Sequence, residues 1–499
     1  MNELIYMSYT PLYAVLVSLV AVPFILLSSR MPNIREGWTI LAAVVKFGLV
    51  LTLLPGAIEG RTAEIQILEI SPGVDLALRA DPFGVFFAVI ASGLWIFTSF
   101  YSIGYMRGND EKKQTRYFAS FAVCLSATIG VAFSANLLTF IVFYEVLTIA
   151  TYPLVIHKET PEALSGGRQY LAYTLTAGLF LIAASAWTYH MTGTMDFNAG
   201  GLFGGAVLTQ TTAVVLFLLF LAAVGVKAGI MPIHGWLPTA MVAPTPVSAL
   251  LHAVAVVKSG VFAVVRVVGF VFGPEVMQEH GLNIILAVFA CVTIIFASLI
   301  AMRQDDLKAR LAYSTVGHLS YVVLGAALLS ESGFLGGIMH ISAHATMKIT
   351  LFFCAGAIYV NLHRKNISQL DGIGKVMPWT MGAFLIGSMG LAGIPPINGF
   401  ISKWYLAFGS LQSDQAVVLG ILILSGLLNA AYFFPIVFRA FFKEGEGLEG
   451  HTEASPFMVV PLVITAILSV LFGLNPDLFF NFFHIAHDVT GSVLGVLVR

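Results

Sequence analysis

AGIMPIHGWLPT, residues 228–239, returns 164 positions later as AGIPPINGFISK, residues 392–403, with Ala, Gly, Ile, Pro, Ile and Gly identical. Upstream, GGRQYLAYTLT at 166–176 aligns in the same order with GGIMHISAHAT at 336–346. Self-similarity of this kind marks an internal repeat. Both copies of the longer stretch interrupt an apolar run, the first at Pro232 and Pro238, the second at Pro395 and Pro396. Proline inside a helix removes a hydrogen bond and clashes with the preceding turn, at about 3 kcal/mol. Unwound backbone at membrane depth persists only where protein or trapped water satisfies it. An ordinary kink accounts for one such site. A matched pair, each within five to eight residues of a lysine (Lys227, Lys403), points to two broken helices on an ion path.

The surrounding composition sets the solvent. Of 499 residues, 58% are hydrophobic and 10% charged, against about 25% charged in an average soluble domain. Too few charges are present to keep a soluble surface wet. A net charge of −1 leaves no electrostatic footprint for nucleic acid. Cys124, Cys291 and Cys354 lie far apart in apolar runs, without metal-ligand spacing. The N-terminus lacks a basic region of the kind that opens a cleavable signal. The expected class is an all-α polytopic membrane protein.

A spanning helix needs roughly 20 mostly apolar residues. Fourteen runs qualify: 10–28, 38–56, 82–105, 117–134, 136–156, 168–190, 212–231, 244–270, 282–302, 312–330, 335–361, 380–409, 415–440 and 456–475. A further apolar segment, 477–498, is compatible with lying in the interface or capping the bundle. The broken runs are the seventh and the twelfth. Five spans separate each repeated helix from its copy, and an odd number of crossings turns the second unit upside down.

Lysine and arginine orient the chain. With both termini outside, the inner loops and helix ends collect sixteen of 25 bases, among them Arg30, Arg35, Arg107, Lys158, Arg168, Lys308, Arg310 and Arg439. The outer segments hold Arg61, Arg79 and Arg499. The 57–81 loop is acidic, and its alternating EIQILEI suits a small hairpin.

Six bases remain at membrane depth, Lys46, Lys227, Lys258, Arg266, Lys348 and Lys403, together with one deep carboxylate, Glu145. A charge at the bilayer centre costs about 2.5–3.5 kcal/mol on insertion scales. Arg266, close to an outer end, can snorkel. Lys46 is open to a role in packing on a partner subunit. The others have polar company. His340, His344 and Lys348 form one helical stripe at i, i+4 and i+8; Ser314, His318 and Tyr321 form another. Glu145, Thr148 and Tyr152 share a face, as do Ser248 and His252, with Lys258 on the neighbouring one. One membrane histidine would more often be a satisfied structural donor. Several on aligned helices with lysines and a carboxylate favour a hydrated polar axis spaced for proton hops. Lysine suits such an axis because desolvation lowers its affinity for a proton and an approaching carboxylate restores it. Lys227 is the candidate partner of Glu145.

The residues also resemble a known family. GVKAGIMPIHGWLPTAMVAPTPVSALLHAVAVVKSGVFAVVR at 225–266 is similar to the antiporter-like subunits shared by respiratory complex I, membrane-bound hydrogenases and multisubunit Mrp-type cation/proton antiporters. FYEVLTIATYPL (143–154), AYSTVGHLSYV (312–322), HATMKITLFFCAGAI (344–358) and GIPPINGFISKW (393–404) fit the same family. The resemblance implies fourteen helices with two inverted five-helix repeats, at 116–270 and 282–440, between helices 1–3 (1–115) and a terminal part (441–499). It implies that Glu145 and Lys227 pair in the first half. Lys258 would connect the halves along His252, His318, His344 and Lys348, to which the helical stripe adds His340, and Lys403 would end the second half. One complex I subunit type carries Glu where Lys403 stands, and the long lateral helix of the largest such subunit is missing. Both departures favour the D-type subunit of a Mrp antiporter, or a hydrogenase or related complex counterpart. The first is the leading reading, with a proton-pumping subunit of a complex I-type oxidoreductase or a membrane-bound hydrogenase as the alternative.

The expected function is therefore proton movement within a multisubunit inner-membrane complex. The expected partners are other membrane subunits, the lipid bilayer, protons and, as a coupled ion, sodium, with no nucleic acid. One carboxylate among several lysines makes a poor hard-cation site. An electron-transfer role of its own lacks support, since no nucleotide-binding glycine pattern or cysteine ligand set is present; no cofactor or metal is expected. A scaffold whose buried charges only bind neighbours is the third reading.

Overall fold

Apolar runs with so few charges can lie in hydrocarbon only if each backbone N–H and C=O is bonded within its own segment, and helices do this locally. The computed structural model describes residues 4–71, 73–204 and 208–495. Its helices in chain order are α1 (Thr10–Leu27), α2 (Pro32–Ile58), α3 (Pro82–Gly108), α4 (Gln114–Ala132), α5 (Leu137–Val155), α6 (Pro161–Thr192) and α7 (Gln210–Ala228). Next come α8 (Thr245–Phe272), α9 (Leu282–Arg303), α10 (Leu307–Leu328) and α11 (Glu331–Leu362). The last are α12 (Pro378–Ala392), α13 (Asn398–Gln412), α14 (Ala416–Phe442), α15 (Pro456–Leu474) and α16 (Phe482–Leu494). Among the described residues, thirteen helices are long and apolar enough to cross a membrane by length and composition. The twelfth span of the sequence is the pair α12 and α13, each 15 residues long and separated by an unwound 393–397.

Polar caps set many helix starts. Asp81, Asn136, Thr160, Thr209, Asp306 and Ser330 each accept a hydrogen bond from the backbone three residues on. Both breaks fall where the repeat placed them. After α7 the chain unwinds over 229–235, with Gly229 at φ +70 closing the helix, and resumes as the short Trp236–Thr239 turn. Gly393, at φ +92, closes α12 in the same way. The bonds before Pro232 and Pro396 are both cis.

Several helices begin earlier than their apolar runs. α2 starts at 32 instead of 38, α6 at 161 instead of 168, and α10 at 307 instead of 312. Their first turns carry charged residues, which hydropathy reads as loop while the backbone is already helical. The expected hairpin forms as β2 (Arg61–Ser71) against β3 (Val74–Ala80), antiparallel. A third strand, β1 (Leu4–Met7), joins β2 in parallel. Four residues, 57 positions away in sequence, carry too little pattern to announce that pairing.

α8 is buried throughout, and α10 and α11 flank it at the centre. Within the 477–498 segment α16 packs on α3 and α11, with Phe482 edge-on to Phe86 at 5.1 Å. Residues 496–498 and Arg499 lie outside the described residues.

Candidate functional site

Titratable side chains from α5, α7, α8, α10, α11 and α13 meet in the interior. The first group lies where α5 passes α6 and the end of α7. Lys227, in the last turn of α7 and fully buried, donates from Nζ to the Tyr144 carbonyl at 2.6 Å and stands 3.3 Å from the Tyr144 ring centre. Glu145 Oε1 is buried without a hydrogen-bond partner. Its carboxylate lies against Gly178 of α6, where a methyl group would stand 2.5 Å from Oε1. Among the described residues no ion pair within 4 Å joins Glu145 to Lys227; Tyr144 holds the lysine instead. Thr148 bonds back to the Tyr144 carbonyl of its own helix.

Across α8 the second group begins. This helix has two widened π-helical segments, Leu250–Val254 and Val267–Phe272, on either side of Val256–Arg266. Such bulges recur at functional sites. Lys258 Nζ lies 2.9 Å from His344 Nδ1 of α11. His252 has no partner on either ring nitrogen and rests 5.0 Å from the Phe352 ring. The His344 ring is 5.6 Å from that of His318 and 6.1 Å from that of His340. His318 Nδ1 meets His340 Nε2 at 3.2 Å, and His340 Nδ1 meets Ser402 Oγ at 2.8 Å.

From His318 the network continues into α14. Asn429 Nδ2 lies 3.2 Å from His318 Nε2 and donates to the Leu391 carbonyl at 3.1 Å. Lys403 Nζ donates to that same carbonyl at 2.5 Å and stands 5.0 Å from the Tyr321 ring centre. Lys348 Nζ donates to Ser314 Oγ at 2.8 Å; Tyr432 joins Ser314 to Asn429. The unwound end of α12 thus exposes the carbonyl that collects Lys403 and Asn429. A continuous helix would have spent that carbonyl on its own ladder.

Eight of the nine candidate residues fall into these two groups, Lys227 and Glu145 in the first and Lys258, Lys348, Lys403, His318, His340 and His344 in the second. His252 lies beside the second group, bonded to nothing. No hydrogen bond joins Lys227 to Lys258 among the described residues, although Gly260 of α8 packs directly on the Lys227–Ala228 backbone.

Two buried bases belong elsewhere. Arg266 does not snorkel. It is 2% exposed and bidentate on Asp81, at 2.6 and 2.7 Å, among Phe83, Phe197, Phe262 and Phe270. Asp81 stands 185 residues away in an acidic loop, so hydropathy gave no reason to pair them. Lys46 is buried within its own chain, donating to the Ala14 carbonyl at 2.7 Å and facing Trp95. Sequence reading missed Tyr144, Ser402, Asn429 and Tyr432, uncharged residues with no distinguishing spacing. It also counted Lys308 with the inner loops. Lys308 donates to the Met241 and Ala243 carbonyls at 2.7 and 2.6 Å, in the wall of a cavity of about 810 Å³ that Lys158, Glu162, Gln169 and Tyr359 also line.

At the same end of the bundle, outside the spans, burial and the nearby Arg116 push His157 down to about 4.

Residues 134–428 match the NADH:quinone oxidoreductase/Mrp antiporter transmembrane family. The chain belongs to this family. It is 29% identical over 416 residues to the N subunit of the NADH-quinone oxidoreductase of Desulforudis audaxviator, covering 79% of this chain and 82% of the relative. It is 25% identical over 477 residues to the D component of the Na(+)/H(+) antiporter of Alkalihalophilus pseudofirmus, covering 94% of each. Other relatives are longer, and the chain spans 40 to 65% of them. Among solved structures, a chain of the Mrp complex of Dietzia sp. superposes with a TM-score of 0.88 at 20% identity, covering 97% of both. That likeness supports the fold. As a family member, the chain is an antiporter-like membrane subunit.

Proposed function

We propose that this chain moves protons across the plasma (inner) membrane as the D-type component of a multisubunit cation/proton antiporter. The observation that carries the reading is the chain of contacts from Lys258 through His344 to His318, which His340 joins, and on through Asn429 and the Leu391 carbonyl to Lys403, built from helices far apart in sequence. Proton transfer needs titratable groups within hydrogen-bond reach or one water apart, and this set approaches that spacing along the bundle centre. Glu145 and Lys227 serve as the loading pair of the first half. When the carboxylate nears the ammonium the proton is held, and when they part it is released toward Lys258. His252 stands beside that step, and His340, His344 and Lys348 carry the charge onward. Lys403 is the terminal carrier.

The repeat units are 116–270 and 282–440, flanked by 1–115 and 441–499. The lysine and arginine distribution supports both termini on the outer side. Length supports the D-type assignment, since the D-type antiporter relative is covered over 94% of its own chain. The match to an NADH-quinone oxidoreductase component favours a second reading, in which the same proton path answers to redox chemistry performed by partner subunits. Other membrane subunits are the expected partners in either case, and sodium is the coupled ion only in the first.

Inverted vesicles holding the assembled complex test the reading. Lys258→Ala should abolish proton flux, and Lys258→Arg should restore little, because a guanidinium does not release its proton at accessible pH. Full activity of the Arg variant would make Lys258 a fixed charge and remove the carrier mechanism.

A further inference from the structure

Partner chemistry assigns the ring hydrogens of the His318–His340 pair. The Leu391 carbonyl can only accept, so the Asn429 atom 3.1 Å from it is the amide nitrogen and the other is Oδ1. Nδ2 then also donates to His318 Nε2, 3.2 Å away, which must present a lone pair. The His318 proton is therefore on Nδ1 and points at His340 Nε2. The His340 proton, by the same step, is on Nδ1 and points at Ser402 Oγ, whose own hydrogen goes to the Gly399 carbonyl at 3.2 Å. On the other side, Oδ1 accepts the single hydroxyl hydrogen of Tyr432 at 2.5 Å. The same hydroxyl also faces Ser314 Oγ, the more distant acceptor at 3.1 Å, and Ser314 accepts from Lys348. The Tyr321 hydroxyl, which also faces the Asn429 side chain, spends its own hydrogen on Ser425 at 2.7 Å.

We propose that Asn429 is a positioning residue that locks His318 and His340 together in the Nδ1–H tautomer and so closes the second half to proton entry. Both lone pairs of the histidine pair are occupied, one by the Asn429 amide and one by the neighbouring ring. An amide N–H does not pass a proton on, so a proton reaches His318 only when Asn429 withdraws from Nε2. That consequence rests on the proton-axis reading above; the tautomer assignment does not.

Ring-nitrogen NMR of the full chain labelled with 15N-histidine separates the two. In the wild-type protein, His318 and His340, assigned by the signals lost in His318→Gln and His340→Gln, should both show protonated Nδ1 and unprotonated Nε2. Asn429→Asp replaces the donor with an acceptor. Nε2 of His318 should then carry the hydrogen, and because each ring sets the next, His340 should invert with it. Protonated Nε2 in wild type, or an Asp variant with wild-type shifts, would overturn the proposal. Should the Asp variant fail to reach the membrane, Asn429→Ala should give a mixture of tautomers, and a single unchanged tautomer there would overturn it equally. Proton flux in the same preparation supplies the second arm. An inverted pair with several-fold altered flux supports lock and axis together; an inverted pair with wild-type flux upholds the lock and overturns the axis as the proton path.

Discussion

At the first helix break a lysine leans on a backbone carbonyl and a tyrosine ring, and the one deep carboxylate keeps an oxygen without a partner. At the second break the lysine shares its carbonyl with an asparagine that ties together a histidine pair, a tyrosine, a serine and a second lysine. The same sequence device, proline and glycine beside a lysine, thus sits in two different polar environments. At the first, Tyr144 Oη and Glu145 Oε1 are buried without a partner among the described residues; in and beside the second group so are Ser248 Oγ, Ser259 Oγ, both His252 nitrogens and His344 Nε2, while the His318–His340–Ser402 chain is satisfied. A buried polar group without a partner costs roughly 1–3 kcal/mol, so Glu145 and Tyr144, with no bonded chain around them, gain from rearrangement. The His318–His340–Ser402 chain, by contrast, is bonded at every ring nitrogen.

If the first half is where charge is loaded, Glu145→Gln should bring the largest loss, a fall in flux of about 10²-fold or more with assembly retained. Near-wild-type acidification of inverted vesicles by this variant would erase the difference between the halves. Lys403→Ala should come next, stopping net transport because no other lysine, histidine or carboxylate lies on α13; Lys403→Glu should keep a part of it, since a carboxylate can also carry a proton. Equal pH-gradient formation by the Ala variant and wild type would leave the second half without a carrier.

A smaller change sharpens the contrast from the packing side. Gly178→Ala places a methyl group against Glu145 Oε1 and should push the carboxylate out of its seat, lowering flux several-fold while Lys227→Ala adds little beyond it. Additive losses in the double variant would show that the two act independently. Smallest in transport, though large in stability, is Arg266→Ala. It strands the buried Asp81 carboxylate, and breaking such a pair costs about 3–5 kcal/mol. A lower melting temperature with flux per assembled complex unchanged is expected. Reduced flux in stable protein would bring this pair into the path.

The helix-breaking repeat was legible because proline and glycine act locally: Pro232 and Pro396 interrupt a ladder whatever surrounds them. Lys227, Lys258, Lys348 and Lys403 were legible because a charge at membrane depth is costly enough to need a reason. Asn429 and Tyr432 were not. An uncharged polar residue on an apolar helix raises no alarm, and their partners His318 and Ser314 lie 111 and 118 residues away. Arg266 was misread as a snorkelling residue for the same reason, its partner being 185 positions off.

From the sequence alone came the all-helical membrane class, the two broken spans, the family resemblance and the set of buried titratable residues, all consequences of local backbone chemistry and the cost of charge in hydrocarbon. Tertiary structure decided which of those residues touch. It set Tyr144 under Lys227, left the Glu145 oxygen unpartnered, brought Lys258 to His344, and joined Lys403 to the histidines through one carbonyl freed by the end of α12. Hydrogen bonds act within about 3 Å, and only the packing of helices far apart in the chain brings atoms to that distance.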